Sequence, residues 1–177
     1  MRYVALLRGI NVGGKRKILM SDLKTMLIQL GYFDIKTYMQ SGNVFFTSEK
    51  TSKEVLQTQI SEGIESKFGF KVPVLVITEI QLCKLPELNP YQKEDVSRLH
   101  ITILSELPEK DLLEKLASQE FSLNQFSVKG NYIFLNIEGK YHKSKLTNAF
   151  FEKQLKVNAT TRNWKTITKL INITFNK

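Results

Sequence analysis

The sequence is poor in the residues that announce a chemistry. Cys83 is its only cysteine, which excludes an internal disulfide, and its setting in EIQLCKL reads as a small buried hydrophobe. The only histidines are His100 and His142. No carboxylate or cysteine accompanies either at a spacing that marks an acid–base pair or a metal-ligand set, so no metal and no cofactor is expected. No stretch approaches the roughly 18 consecutive apolar residues that span a membrane, and the opening MRYVALLRGI lacks the apolar run of an export signal. A cytoplasmic location is therefore expected, and the sequons at Asn158 and Asn172 carry little meaning. Acidic residues are scarce in one region only: from Gly139 to Lys177, nine lysines and arginines face the single acid Glu152, whereas the rest of the chain holds 17 basic and 16 acidic residues. That asymmetry points to a polyanionic partner, nucleic acid or an acidic lipid surface, or else to a solvated basic face. With 42% apolar residues the chain has enough material for one large core or two small ones. Nothing in it specifies an oligomeric state.

What is present is a repeated pattern of elements. Arg2 to Leu7 reads as a short buried strand. SDLKTMLIQLG then places Leu23, Met26, Leu27 and Leu30 at helical spacing, with Ser21 as the expected N-cap and Gly31 as the expected C-cap. IKTYM and VFFT flank QSGN, which reads as a hairpin because Gly and Asn accept the positive φ of a tight turn. A second helix, about Ser52 to Phe68, carries Leu56, Ile60, Ile64 and Phe68 on one face. KVPVLVIT follows as a strand, and Pro73 puts it at a sheet edge. Strand, helix, strand, strand, helix, strand is the order of the split βαβ or ferredoxin-like plait, complete by residue 78.

After a helix and polar link at 79–97, a similar order restarts over 98–177. It runs through LHITIL, a helix opening at Pro108, NQFSV, and KGNYIFLNI, which repeats the Gly-Asn turn and apolar strand of SGNVFFTSE. The second copy is irregular. Its helix, from about Lys143 to Leu155, leads into VNATTRNW, which shows no clear apolar strand, and a closing helix has Trp164, Ile167, Leu170 and Ile171 as core. The expected fold is α+β: two tandem ferredoxin-like plaits, the second with an irregular C-terminus and an extra closing helix.

The stretch RGINVGGKRKI, between first strand and first helix, has no counterpart of its length in the second copy. Gly9, Gly14 and Lys15 satisfy much of a P-loop, but Arg16 stands where Ser or Thr must coordinate magnesium. The helical pattern also starts too late for its N-terminus to face a phosphate beside Lys15, which argues against a nucleotide triphosphatase. A weaker reading survives. Gly9, Gly13 and Gly14 allow close backbone approach to an anion, Arg8, Lys15, Arg16 and Lys17 add charge, and Asn11 adds a donor. The alternative is a well-solvated basic loop.

ALLRGINVGGKRKI, TYMQSGNVFF and SKLTNAFFEKQLKVNATTRNWKTITKL together resemble the bacterial domain-of-unknown-function family 1697, almost end to end. The resemblance implies tandem ferredoxin-like plaits and leaves function open. It marks Arg8, Gly9, Asn11, Gly13, Gly14 and Lys15, then Gln40, Ser41, Gly42 and Asn43, then Lys145, Thr147, Asn148, Thr161, Arg162, Asn163 and Trp164. Each set has a plain structural reading: a turn for Ser41 to Asn43, core for Trp164, a helix cap for Asn163. Arg162 and Asn163 before one helix, and Lys143 and Lys145 opening another, are also placed to meet an anion.

Three functions compete. The leading one is a binding module for a phosphate-bearing ligand, nucleic acid or nucleotide, through the loop after the first strand and the basic C-terminal region. Stacking of bases on sheet aromatics, as in RNA-recognition domains, is not expected, because those of KGNYIFLN fall out of the required register. An alternative is phosphoryl chemistry by analogy with acylphosphatases, which are also plaits, with Arg8 holding a phosphate and Asn43 orienting a water. The third is a protein-interaction or membrane-surface module using the basic C-terminal helices.

Overall fold

A computed structural model of the chain describes residues 1–40, 42–49, 52–119, 121 and 124–175; Ser41 of the QSGN turn lies outside them. The elements run β1 (Arg2–Leu7), α1 (Met20–Gln29), β2 (Phe33–Tyr38), β3 (Asn43–Thr47), α2 (Lys53–Phe68), β4 (Val74–Thr78) and α3 (Glu79–Leu88). There follow β5 (Leu99–Leu104), α4 (Lys110–Ala117), β6 (Gln125–Lys129), β7 (Tyr132–Asn136), a 3-10 turn at Tyr141–Lys143, α5 (Asn148–Leu155), β8 (Ala159–Asn163) and α6 (Trp164–Phe175). The fold is mixed α/β, with six helices and two four-stranded antiparallel sheets among the described residues. Strand order is β2-β3-β1-β4 in one sheet and β6-β7-β5-β8 in the other. The chain divides into two compact units, Met1–Leu82 and Cys83–Lys177, each built around one sheet.

In the first unit, alternation along the central strands sends Tyr3, Ala5 and Leu7 of β1 and Val44 and Phe46 of β3 toward the helices. There they meet Leu23, Met26 and Leu27 of α1 and Leu56, Ile60 and Ile64 of α2. Tyr3 stacks on Phe46 at 5.6 Å between ring centres. Ser52 caps α2, its hydroxyl accepting from the Val55 N–H, and Gly69 ends the helix at φ +79°. The second unit repeats the scheme with Ile133, Leu135, Leu104 and Ala159 packed on Leu116 of α4 and on Phe151 and Leu155 of α5. Phe45 and Phe134 are buried as well, so neither sheet offers these rings to a stacking base.

Three local expectations are corrected, and one point left open by the sequence is decided. Helix α1 is capped at Leu19, not Ser21: Leu19 holds φ −72°, ψ 135° and makes no side-chain cap bond. Buried Ile18 is held just ahead of it, so the chain turns helical at once. Helix α4 starts at Lys110, two residues past Pro108. Helix α5 starts at Asn148 and not near Lys143, because hydroxyls interrupt the run. Ser144 Oγ accepts from the Leu146 N–H at 3.0 Å, and Thr147 caps the helix by accepting from Phe150. Finally, VNATTRNW does hold a strand. β8 pairs with β5 along its whole length, from Leu104↔Ala159 to His100↔Asn163. Its inward position Thr161 is satisfied by hydroxyl bonds, at 2.7 Å to Thr102 and 2.6 Å to Asn148 Oδ1, which is why no apolar alternation marks it.

Candidate functional site

Two glycines fold the basic loop into a small hairpin. Gly13 and Gly14 both have positive φ, +59° and +73°, the pair that a type I′ turn requires. The Lys15 N–H donates to the Val12 carbonyl at 3.2 Å, and the Asn11 N–H to the Arg16 carbonyl at 3.2 Å. Below this tip, buried Ile10 and Ile18 plant both legs in the core. Asn11 ties the base together. Its Nδ2 donates to the carbonyls of Ile18 and Gln40, both at 2.9 Å, and its Oδ1 accepts from the Ile18 N–H at 2.9 Å. Both amide donors and the carbonyl are thus engaged within the fold, so Asn11 braces the hairpin against the β2–β3 turn. Gly42 completes that turn with no room for a side chain: φ is +78°, and a Cβ there would sit 2.7 Å from Leu7 Cβ.

The charges stand out from this brace. Lys15, Arg16 and Lys17 are exposed and make no ion pair among the described residues, and no acid lies between Arg8 and Met20. The N–H groups of Gly13, Gly14, Arg16 and Lys17 likewise have no acceptor among the described residues. Arg8 is half-buried at the hairpin's foot, its N–H donating to the Pro73 carbonyl at 3.0 Å, and Gly9 turns the chain at φ +73°. Beside the hairpin is a recess of about 350 Å³, lined by Asn11, Gly14, Lys17, Ile18, Leu19, Met20 and Gln40. Leu19 drew no functional reading from sequence, and Gln40 was marked only as a motif position of the resemblance. The missed signal for Leu19 is an apolar residue at a helix N-cap, where a polar one is the rule.

Asn43 opens β3 opposite Leu6 of β1. It is wholly buried in β3 and donates to the Tyr38 carbonyl at 3.3 Å. Helix α1 begins five residues after Lys15, so its N-terminus does not meet the Gly-Lys step of the loop.

The C-terminal candidates gather at one end of the second sheet but not on one face. Lys143 ends the 3-10 turn and Lys145 follows it; both are exposed. Asn163 closes β8 and caps α6, its Oδ1 accepting from the Thr166 N–H at 2.8 Å. Arg162 alternates with Thr161 along β8, so it points away from the α5 side, where Thr161 meets Asn148. Its Nη1 donates to the Thr161 carbonyl at 3.0 Å, and burial of the guanidinium lowers its pKa to about 10. His100 stacks on Tyr141 with ring centres 4.6 Å apart, and burial lowers its pKa, partly offset by its contact with the Arg98 carbonyl. His142 is exposed. Among the described residues no group of three His, Cys, Asp or Glu is placed to hold a metal, and no helix is long and apolar enough to cross a membrane.

No curated protein matches the chain. Among solved structures, a conserved bacterial protein from Streptococcus pneumoniae is 26% identical, with a TM-score of 0.71 and 97% of each chain covered. The family model described as protein of unknown function DUF1697 matches residues 1–134, which hold the hairpin, its brace at Gln40 and the first five strands and more of the fold. The chain belongs to that family, DUF1697.

Proposed function

We propose that this protein is a binding module for a phosphate-bearing ligand, nucleic acid or nucleotide, and that the Asn11–Arg16 hairpin is its primary contact. One observation carries the reading: three exposed cations with no ion-pair partner among the described residues follow a braced turn whose Gly13 and Gly14 N–H groups have no acceptor among those residues. Backbone N–H groups and lysines together recognise phosphate oxygens without reading sequence. The brace matters energetically, because a hairpin already held in place loses little conformational freedom on binding. Lys143 and Lys145, exposed in the second unit, form with Arg162 and Asn163 a secondary basic region proposed on its own account. The element order and the strand order β2-β3-β1-β4, repeated as β6-β7-β5-β8, support reading each unit as a ferredoxin-like plait, with α6 as the extra closing helix of the second.

Binding rather than catalysis is the better account of the geometry. The acylphosphatase analogy needs Asn43 to orient a water, yet its amide is enclosed in the sheet and directed at the Tyr38 carbonyl. The test is anisotropy of labelled single-stranded RNA and duplex DNA across a salt series, with pyrophosphate as competitor. Lys15→Glu/Arg16→Glu is expected to weaken binding several-fold and flatten its salt dependence, with Lys143→Glu/Lys145→Glu having the smaller effect. Absence of binding by the wild type at low salt, to polymer and pyrophosphate alike, defeats the reading.

A further inference from the structure

The recess beside the hairpin is lined by residues of two different chemistries. Gly14 and Lys17 come from the turn and its basic run, while Leu19 and Met20 are apolar and Gln40 carries an amide. Leu19 is 69% exposed, an unusual place for a leucine that also sits at a helix N-cap. Gln40 lends its backbone carbonyl to Asn11, and its side chain makes no hydrogen bond among the described residues, leaving a donor and an acceptor free. A volume of about 350 Å³ is at the small end of ligand pockets, enough for one ring system with its sugar and too small for a tract of polymer.

We infer that this recess takes a single nucleoside phosphate, with the phosphate on the Gly13–Gly14 turn and Lys17 and the base against Leu19 and Met20, its edge read by the Gln40 carboxamide. The inference rests on the phosphate-binding reading above and narrows its ligand. A phosphate alone leaves the apolar wall exposed. A base covers Leu19 and Met20 while its ring edge meets an amide that donates and accepts, and this two-part fit is what an aliphatic or purely anionic ligand lacks.

The experiment is calorimetric titration of the full chain, without added metal, with the four ribonucleoside 5′-diphosphates and with pyrophosphate as the base-free reference. At least one diphosphate is expected to bind about fivefold or more tighter than pyrophosphate, since burying about 40 Å² of apolar surface against Leu19 and Met20 is worth that much. Leu19→Asn removes the apolar wall but supplies a better N-cap, so the fold is kept; it should erase the base-dependent gain over pyrophosphate. Gln40→Leu should reduce discrimination among the four. Equal binding of all diphosphates and pyrophosphate overturns the recess assignment while the phosphate reading stands. Binding of none overturns both, and a base-dependent gain that survives Leu19→Asn overturns the placement of the base.

Discussion

Removing the Asn11 side chain is the sharpest test of how the hairpin is held. Asn11→Ala deletes three hydrogen bonds, to the Ile18 carbonyl, the Gln40 carbonyl and the Ile18 N–H. At about 1 kcal/mol each, with the solvent-exposed Gln40 bond discounted, the loss is about 2–3 kcal/mol. Asn11 also sits at φ +55°, where alanine costs roughly another 1 kcal/mol. Asn11→Gly removes the same bonds and tolerates that backbone, so glycine should be the milder change and the difference between the two isolates the backbone term. The assay is urea unfolding of the full chain, with amide exchange in β1 and β3 reporting the first unit. The midpoint should fall at constant slope. If both variants stay within about 0.5 kcal/mol of wild type, the amide is no brace, and if glycine is as harmful as alanine, strain at Asn11 contributes nothing.

Other outcomes follow from the same geometry. Gly42→Ala brings a Cβ to 2.7 Å from Leu7 Cβ at φ +78°, and a loss of about 2–4 kcal/mol in urea unfolding is expected. Leu19→Asp gives α1 the side-chain cap it lacks and should raise stability by about 1 kcal/mol, while its carboxylate weakens anion binding in the adjoining recess. Thr161→Val breaks the hydroxyl chain from Thr102 to Asn148 and should cost about 1–3 kcal/mol, measured by unfolding followed at Trp164. Burial lowers the His100 pKa below its ordinary value, so the unfolded chain binds more protons there. Its contribution is present above about pH 6.5 and is lost as pH falls through the lowered value. The decline in stability between pH 7.5 and 5.5 should be shallower in His100→Gln.

The long apolar elements were legible because their packing is periodic. Leu56, Ile60 and Ile64 define α2, and the paired GN turns before β3 and β7 mark the repeated strand order. What escaped was decided by polar groups acting over distance. β8 shows no apolar alternation because Thr102 and Asn148 satisfy Thr161 from outside its strand. The start of α5 depends on which hydroxyl, Ser144 or Thr147, takes which N–H. In the loop, sequence supplied the glycines and the charges but not their division of labour. Asn11 was expected among the donors to an anion, and only its contacts with Ile18 and Gln40 identify it as a brace. Leu19 drew no functional reading, since a lone leucine before a helix announces nothing until its exposure beside the recess is seen.

Residue-level mapping of pyrophosphate onto the protein by ¹H–¹⁵N chemical shifts tests the central claim most directly. The account predicts saturable shifts at the amides of Gly13, Gly14, Arg16 and Lys17, weakened by salt and abolished in Lys15→Glu/Arg16→Glu. Shifts confined to residues outside the hairpin, or none at low salt, would contradict it.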